Sequence, residues 1–253
     1  MNDILQLNPK GLYCNAGDFY IDPWQPVDKA VITHAHADHA RWGCRHYLCA
    51  TEGKGVLQAR LGSPVPIETL DYGEVKTVND ITLSLHPAGH ILGSAQVRIE
   101  KDGQVWVVSG DYKRETDPTC TPLEPLRCHV FISESTFGLP IFRWPDPEEV
   151  MADINAWWQS NRDQGRTSIL FAYALGKAQR IIAGLDPTIG PILTHGAVEK
   201  FNSCYREAGI PLPTTQYVGA RDDKQILKRS LVIAPPSADN PSWLRRFPDR
   251  IRA

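Results

Sequence analysis

The stretch Thr33-His34-Ala35-His36-Ala37-Asp38-His39 decides how the whole chain is interpreted. Three of the eight histidines and one carboxylate fall within it, directly after the apolar run Ala30-Val31-Ile32. Neutral imidazole and carboxylate groups are the usual protein ligands of zinc and similar metals. The motif therefore predicts a metal site, against the alternative of a solvated, histidine-rich loop that binds no metal.

The spacing within this motif predicts how its side chains are shared between ions. Residues two apart on a strand point the same way, so His34 and His36 can reach one ion together. If the chain then bends into a helix, Asp38 and His39 are turned towards a second ion nearby. The small alanines of the motif leave room for such a crowded turn.

Length and composition are those of a soluble globular protein. The chain has 253 residues, of which 42% are hydrophobic and 22% charged, so it can bury a sizeable core. The 27 basic and 29 acidic residues give a net charge of -2. Any binding of nucleic acid must therefore come from local basic patches and not from the charge of the whole protein.

Cysteine usage and hydropathy predict the compartment. The six cysteines form no C-x-x-C pair, and the first residues lack the charged and apolar regions of a signal peptide. No apolar run approaches the roughly 18 residues that a membrane-spanning helix needs. We expect a reduced, cytoplasmic protein that is not associated with a membrane.

Further candidate ligands stand where predicted strands end. These polar residues are Asp22, His90, Asp111 and Glu134. A lone histidine or aspartate at such a position is more often structural, but the presence of the histidine motif strengthens the case that each belongs to the metal site. His90 would complete a set with His34 and His36, and Asp111 could join Asp38 and His39. On sequence alone, Asp22 is better explained as a turn residue.

The second half of the chain has a different pattern. Residues 140–147 form a linker rich in proline and aromatic residues, and a helix is predicted to open at Pro147. Strands and helices then alternate, which predicts a small parallel α/β unit. The predicted elements are strand 168–172, helix 177–183, strand 192–194, helix 198–208 and strand 230–234.

Taken in order, the motifs resemble those of the metallo-β-lactamase superfamily. The matching segments are His34-x-His36-x-Asp38-His39, Gly89-His90 and Gly110-Asp111. The segment 134–138 (Glu-Ser-Thr-Phe-Gly) resembles the marker that opens the β-CASP nuclease branch, and 172–180 resembles a second β-CASP marker. Within that branch the resemblance is to the bacterial DNA-ligase-associated exonucleases. It covers essentially the whole chain, including 194–199 and 234–238.

This resemblance implies a fold and a division into domains. The fold would be α/β, a metallo-β-lactamase αββα sandwich, incomplete at the C-terminus, with a small inserted α/β domain of the β-CASP type. The expected bounds are 1–139 for the lactamase core, 140–229 for the inserted domain and 230–253 for a truncated return to the core.

The resemblance also implies roles for individual residues. His34, His36 and His90 would hold one divalent ion, and Asp38 and His39 the other, with Asp111 between them. Zinc is the expected metal, and manganese is the alternative. Asp22 would orient a ligand from outside, and Glu134 would join Asp38 and Asp111 in catalysis. Independently of the resemblance, the charges of Lys177 and Arg180 allow them to contact phosphates, and an ordinary solvated helix face is an equal alternative for both.

The implied activity is metal-dependent hydrolysis of phosphodiester bonds in DNA. The chain would be a repair exonuclease that acts on single-stranded or end-containing DNA, with a DNA ligase and a helicase as candidate partners. One alternative is a thioester-type hydrolase of the same superfamily. The thioesterase branch lacks both the 134–138 marker and the inserted unit, which argues against this alternative. A second is an inactive nucleic-acid-binding relic.

One departure from the family pattern concerns the end of the chain. The family continues into a segment whose histidine completes the second metal site, whereas no histidine follows His195 here. We therefore expect a truncated core and weak activity. The last residues are basic, with Arg245 and Arg246 close to Trp243 and Phe247. That mixture of aromatic and basic residues suits the binding of single-stranded DNA. A truncated core segment with exposed side chains would give the same sequence pattern.

Overall fold

The computed structural model describes residues 3–62, 64–220, 223–247 and 249–253. The chain divides into two compact units, Met1–Thr136 and Phe137–Ala253, and both mix helices with sheets. Among the described residues, no helix is long and apolar enough to cross a membrane.

The first sheet of the first unit has six strands that lie side by side in chain order. They are β1 (Leu5–Asn8), β2 (Gly11–Cys14), β3 (Phe19–Ile21), β4 (Lys29–Val31), β5 (His46–Ala50) and β6 (Ile67–Leu70). The pairs from β1 to β3 are antiparallel and those from β3 to β6 are parallel. Strand β4 therefore lies inside the sheet and leads directly into the histidine motif. A 3-10 turn and helix α1 (Lys54–Leu61) follow β5.

The second sheet of this unit has five strands in the order β11-β10-β9-β8-β7. Their bounds are β7 (Val75–Val78), β8 (Ile81–Pro87), β9 (Ala95–Lys101), β10 (Gln104–Val108) and β11 (Val130–Ile132). Strands β9 and β10 form an antiparallel hairpin around Asp102-Gly103. Both turn residues have positive φ (49° and 75°), as the turn type favoured in two-residue hairpins requires.

The two sheets of the first unit share one hydrophobic core. Buried side chains of both enter the same cluster, among them Ile21, Val31, Leu48, Leu83, Val97 and Ile99. Each fully buried aliphatic side chain contributes about 1.5–3 kcal/mol to folding, so this contact fixes the two sheets against each other. These are the two central layers expected for an α/β fold of the metallo-β-lactamase type. The outer helical layers of the expected sandwich stay a prediction.

The second unit is a parallel α/β unit. Helix α2 (Pro147–Asp163) begins as predicted at Pro147, and the Asp146 carboxylate caps it by accepting from the Glu148 N–H at 2.7 Å. The sheet has five strands in the order β14-β13-β15-β12-β16, and every neighbouring pair is parallel. Its strands are β12 (Thr167–Phe171), β13 (Ile192–Thr194), β14 (Thr215–Tyr217), β15 (Leu231–Ala234) and β16 (Arg250–Arg252).

Helices cover both faces of this sheet. The remaining helices are α3 (Lys177–Ala183), α4 (Gly196–Glu207), α5 (Lys224–Leu227) and α6 (Pro241–Leu244). Residues of α2, α3 and α4 pack in one cluster with Leu170, Ile192 and Ile233, and those of α5 and α6 pack in another with Ile169 and Leu193. Neighbouring strand residues point to opposite faces, so the two clusters lie on opposite sides of the sheet.

The structure corrects the expected domain bounds. Strand β15 lies between β13 and β12, and β16 pairs with β12, so residues 230–253 belong to the second unit and not to a return to the first. The physical reason is burial: all four residues of β15 are buried and need partners on both edges, and Phe247 is fully buried in the same unit. The boundary also falls before Phe137 and not after residue 139.

Candidate metal centre

The histidine motif forms a tight turn between β4 and β5. The backbone N–H groups of His39 and Ala40 both donate to the His36 carbonyl, at 3.2 and 2.8 Å. Ala35 and Ala40 are buried, so their small side chains allow the turn to pack closely. The chain therefore bends where the sequence predicted, but as a turn without a regular helix.

Four of the predicted ligands converge at this turn. One ligand atom each from His34, His36, His90 and Asp111 lies within 4.8 Å of all the others. Nδ1 of His36 is 3.0 Å from Nε2 of His34 and 3.2 Å from Nε2 of His90. Oδ2 of Asp111 is 3.8 Å from the same nitrogen of His34 and 3.6 Å from that of His90.

This donor set fits a metal ion. Two nitrogens that each lie about 2.0–2.1 Å from a tetrahedral zinc ion are about 3.3 Å apart, which is close to the spacing of the histidine nitrogens. Three neutral imidazoles with one carboxylate also match the ligand preference of zinc. The cluster is therefore able to hold one ion without large rearrangement.

His39 and Asp38 form a second group beside the first. Nε2 of His39 lies 3.4 Å from Oδ1 of Asp111 and 3.7 Å from Oδ2 of Asp38. The two oxygens of Asp111 thus face different histidine groups. The Asp38 side chain is 76% exposed, whereas that of His34 is fully buried. The second group is the more open of the two.

The carboxylate of Asp22 is connected to both histidine groups by hydrogen bonds. It accepts the Thr33 backbone N–H at 2.8 Å, the Thr33 hydroxyl at 2.5 Å and Nδ1–H of His39 at 2.7 Å. The Thr33 hydroxyl has one proton and donates it to Asp22, so Nδ1 of His34, 3.1 Å away, must donate to Thr33. Both histidines therefore keep Nε2 for the side that faces Asp111. Asp22 does more than terminate a strand.

The pKa values follow from this geometry. Burial, and then the neighbouring histidines, lower the pKa of His34 well below its ordinary value. Burial likewise lowers the pKa of His90 to about 4, although Asp111 and Glu134 act in the opposite direction. Burial also acts to lower the pKa of His39, but hydrogen bonds to Asp111 and Asp22 outweigh it and raise the value to about 10. The hydrogen bond with His39 lowers the pKa of Asp111.

Two supporting residues were not singled out from the sequence. Ser94 Oγ accepts the backbone N–H groups of His90 and Ile91 at 3.0 and 3.2 Å, which fixes the loop that carries His90. Thr33 forms the bridge described above. A hydroxyl next to a predicted ligand is the only signal that the sequence offered, and it is common in proteins.

The other predicted residues are not part of the ligand cluster, although Glu134 is close enough to His90 to act on its pKa. Glu134 follows β11, is half-buried, and accepts the Thr136 N–H at 2.5 Å. Lys177 and Arg180 lie on α3 in the second unit, where the Lys177 ammonium is 5.8 Å from the centre of the Tyr173 ring. His86 lies between Ser84 Oγ and the Glu124 carboxylate, at 3.0 Å from each.

Comparison with known proteins gives relatives along most of the chain. The chain is 29% identical over 245 residues to a probable DNA ligase of Opitutus terrae, which covers 94% of this chain and 23% of that protein. It is 30% identical over 223 residues to the endoribonuclease YSH1 of Gibberella zeae, covering 83% and 26%. The chain thus spans about a quarter of the length of these curated relatives. No protein-family model matches it.

One solved structure supports the fold. A protein of unknown function from Enterococcus faecalis superposes with a TM-score of 0.51 at 14% identity, over 88% of this chain and 57% of the other. At that identity the likeness concerns the fold alone.

Proposed function

Because the chain belongs to the β-CASP branch of the metallo-β-lactamase superfamily, we propose that it is a metal-dependent hydrolase of phosphodiester bonds in nucleic acid. The observation that supports this most directly is the convergence of His34, His36, His90 and Asp111 with their ligand atoms facing one another. The arrangement has the ligand types of a metal site and a carboxylate between two groups, as two-metal phosphodiesterases need.

Two divalent ions are proposed, with zinc as the expected metal and manganese as the alternative. The first would be held by His34, His36 and His90, and the second by Asp38 and His39, with Asp111 shared. When bound, such ions lower the pKa of the attacking water and offset negative charge in the phosphoryl transition state. Asp22 would keep the histidines in the required tautomer.

The proposed reaction is an in-line displacement at phosphorus. The water oxygen forms a bond to phosphorus, the bond to the leaving strand breaks, and a water proton ends on the leaving oxygen. Asp111, whose pKa is lowered, is ionised at neutral pH and would orient the reacting groups. Glu134, together with Asp38, is proposed to assist the proton transfer, since it is half-buried at the end of β11.

DNA is the proposed substrate and exonucleolytic repair the proposed role. Support comes from the relative named a probable DNA ligase, which matches nearly the whole chain. That match also motivates a DNA ligase as a partner, and a helicase is proposed with it. The relatives named endoribonucleases make RNA the substrate against which DNA must be tested. Lys177 and Arg180 are proposed to contact phosphates.

The experiment combines metal analysis with hydrolysis. Protein expressed with added zinc or manganese should contain metal and shorten end-labelled single-stranded DNA, and should act less on RNA of the same sequence. Asp111→Ala should abolish the activity, because it removes the shared carboxylate. Asp102→Asn, an exposed hairpin position that already has positive φ, is the matched control. Absence of metal, or hydrolysis of a small thioester without any action on nucleic acid, would contradict the proposal.

A further inference from the structure

The carboxyl edge of the second unit's sheet has the architecture of a ligand site. In parallel sheets, ligands bind outside the carboxyl ends of strands where neighbouring connections leave on opposite faces. Here β13 leads into α4 on one face, and its neighbour β14 leads towards α5 on the other. Strand β15, on the other side of β13, leads to α6 on the same face as α5. The crevice that this rule predicts therefore lies at the end of β13.

Three aromatic side chains meet at this crevice. His195 follows β13, and its ring centre lies 5.7 Å from that of Trp243 on α6, which in turn packs 4.8 Å from Phe247. Nδ1 of His195 accepts the Ala197 N–H at 3.1 Å, so the ring proton is on Nε2 and is available to donate. Trp243 therefore packs against His195 and Phe247 and is half-buried, so that part of its ring faces solvent.

Tyr217, the last residue of β14, extends this aromatic row. It is 50% exposed although its backbone lies at the end of a sheet strand. Its ring lies against two glycines: a Cβ on Gly219 would be 2.3 Å from Cζ of Tyr217, and one on Gly196 would be 3.3 Å from Cε2. Any larger residue at 219 would displace the ring. The two glycines therefore pack against one part of the Tyr217 ring, and the rest of the ring is exposed to solvent.

Cationic side chains accompany the rings. Arg246 is exposed and close enough to His195 to lower its pKa, second to burial. At the end of β12, Tyr173 is 68% exposed, and the Lys177 ammonium lies 5.8 Å from its ring centre. From β12 to β14 the sheet order has three inter-strand steps, about 14 Å in all. Aromatic rings with cations therefore recur along one edge.

We propose that this edge is a stacking surface for single-stranded nucleic acid, on which Tyr217 and Trp243 stack bases while Arg246 and Lys177 contact phosphates. Rings that are exposed or partly exposed and lie near cations suit a single strand, whose bases offer free faces, and not a duplex, whose bases are already stacked. The inference rests on the proposed function only in taking nucleic acid as the substrate. Its site lies wholly within the second unit and uses no metal ligand.

The test measures binding of a fluorescent oligothymidylate by anisotropy, with metal removed by a chelator so that no cleavage occurs. Tyr217→Leu should weaken binding by on the order of tenfold, as loss of one stacked base does. Tyr217→Phe keeps the ring and should bind like the unchanged protein. Trp24→Leu removes a similarly exposed ring (55%) from the first unit and is the matched control. Circular dichroism checks that each variant is folded.

A salt titration distinguishes a phosphate contact from a structural effect. Arg246→Gln should reduce the slope of log affinity against log salt by about 0.7, the value for one phosphate of a single strand. Unchanged binding by Tyr217→Leu, equal loss in Tyr217→Phe, or an unchanged slope in Arg246→Gln would overturn the proposal. So would a Tyr217→Leu effect on self-association alone, which would assign the surface to protein.

Failure of this inference and failure of the proposed function are separable. Hydrolysis of bis(p-nitrophenyl) phosphate by the metal-loaded protein reports the first unit alone, because that ester is too small to span the sheet edge. If the ester is hydrolysed while Tyr217→Leu binds DNA normally, only the stacking surface is wrong. If DNA binding depends on Tyr217 while nothing is hydrolysed, only the catalytic proposal is wrong.

Discussion

The carboxylate of Asp22 determines where two histidine rings keep their protons. It accepts from Nδ1 of His39 directly and from His34 through the Thr33 hydroxyl. A neutral imidazole has one donor and one acceptor nitrogen, so these bonds leave Nε2 of His34 as a candidate metal ligand. His39, whose pKa is raised to about 10, would give up its Nε2 proton on binding a metal, because its Nδ1–H is bound to Asp22. Such outer partners orient metal ligands and raise their basicity.

Asp22→Asn is therefore expected to weaken zinc binding by about 10–100-fold, the usual effect of losing such a partner. The amide nitrogen would face a donor and favour the wrong tautomer of His39. Competition against a chelating dye measures the affinity. Asp18→Asn is the matched control, since Asp18 also has positive φ and its side chain bonds to Tyr13 and Lys29, which are not part of the metal centre. Equal affinity loss in both variants would refute the role of Asp22.

The first histidine group is expected to bind metal more tightly than the second. It offers three imidazoles that include the fully buried His34, whereas the second depends on the largely exposed Asp38. His36→Ala should therefore remove the tighter binding step in a zinc titration, and Asp38→Ala only the weaker one. The opposite order, seen by calorimetry, would show that the more open group binds first.

Residue types at strand ends were enough to predict which side chains come together, but not what supports them. The histidines and Asp111 have ligand chemistry that is visible in the sequence. The roles of Thr33 and Ser94 depend on which groups the fold brings within 3.2 Å, and a lone hydroxyl gives no sign of that. On sequence alone Asp22 was interpreted as a turn residue for the same reason.

Loops at the ends of strands carry the ligands, and close backbone contacts shape them. Gly93 lies in the loop between β8 and β9 that presents His90. Its φ is +71°, and a Cβ there would be 2.0 Å from Cα of Gly53. Only glycine fits both the conformation and the space. The two loops therefore touch through their backbones.

Gly93→Ala is expected to lower the free energy of unfolding more than Gly103→Ala. Gly103 has a similar φ of +75° but nothing within 4 Å of an added Cβ. Gly103→Ala should cost about 1–2 kcal/mol of conformational strain, and Gly93→Ala about 1–3 kcal/mol more from the overlap. Urea unfolding gives both values. Equal losses would mean that Gly53 moves away freely.

Helices and strands were predicted correctly where a short window of sequence contained the pattern that defines them. Helix α3 and strand β13 have the predicted bounds, and α2 begins at the predicted proline. Strands β14 and β16 were missed because each has three residues with little apolar pattern. They are strands because neighbouring strands supply hydrogen-bonding partners, which a short window of sequence does not show.

At the scale of the whole molecule, the chain contains two units that each have their own core. Sequence periodicity predicted the parallel sheet of the second unit, but it did not predict which unit contains the last residues of the chain. Assigning 230–253 to the first domain was wrong, because β15 takes hydrogen bonds on both edges from strands of the second unit. Hydrogen bonding between strands that are distant in sequence therefore sets the boundary between the two units.

All six proposed metal ligands lie in the first unit, so metal should stabilise that unit selectively. A ligand at 100 times its Kd that binds only the folded state adds about 2.7 kcal/mol, which slows global exchange of amide hydrogens by about 100-fold. Hydrogen exchange should therefore slow in β8 and β9 on adding zinc and stay unchanged in β13 and β15. His36→Ala should lose the effect while folding normally. Slowing of β13 and β15 to the same extent would show instead that the two units unfold as one, and that the cores do not act separately.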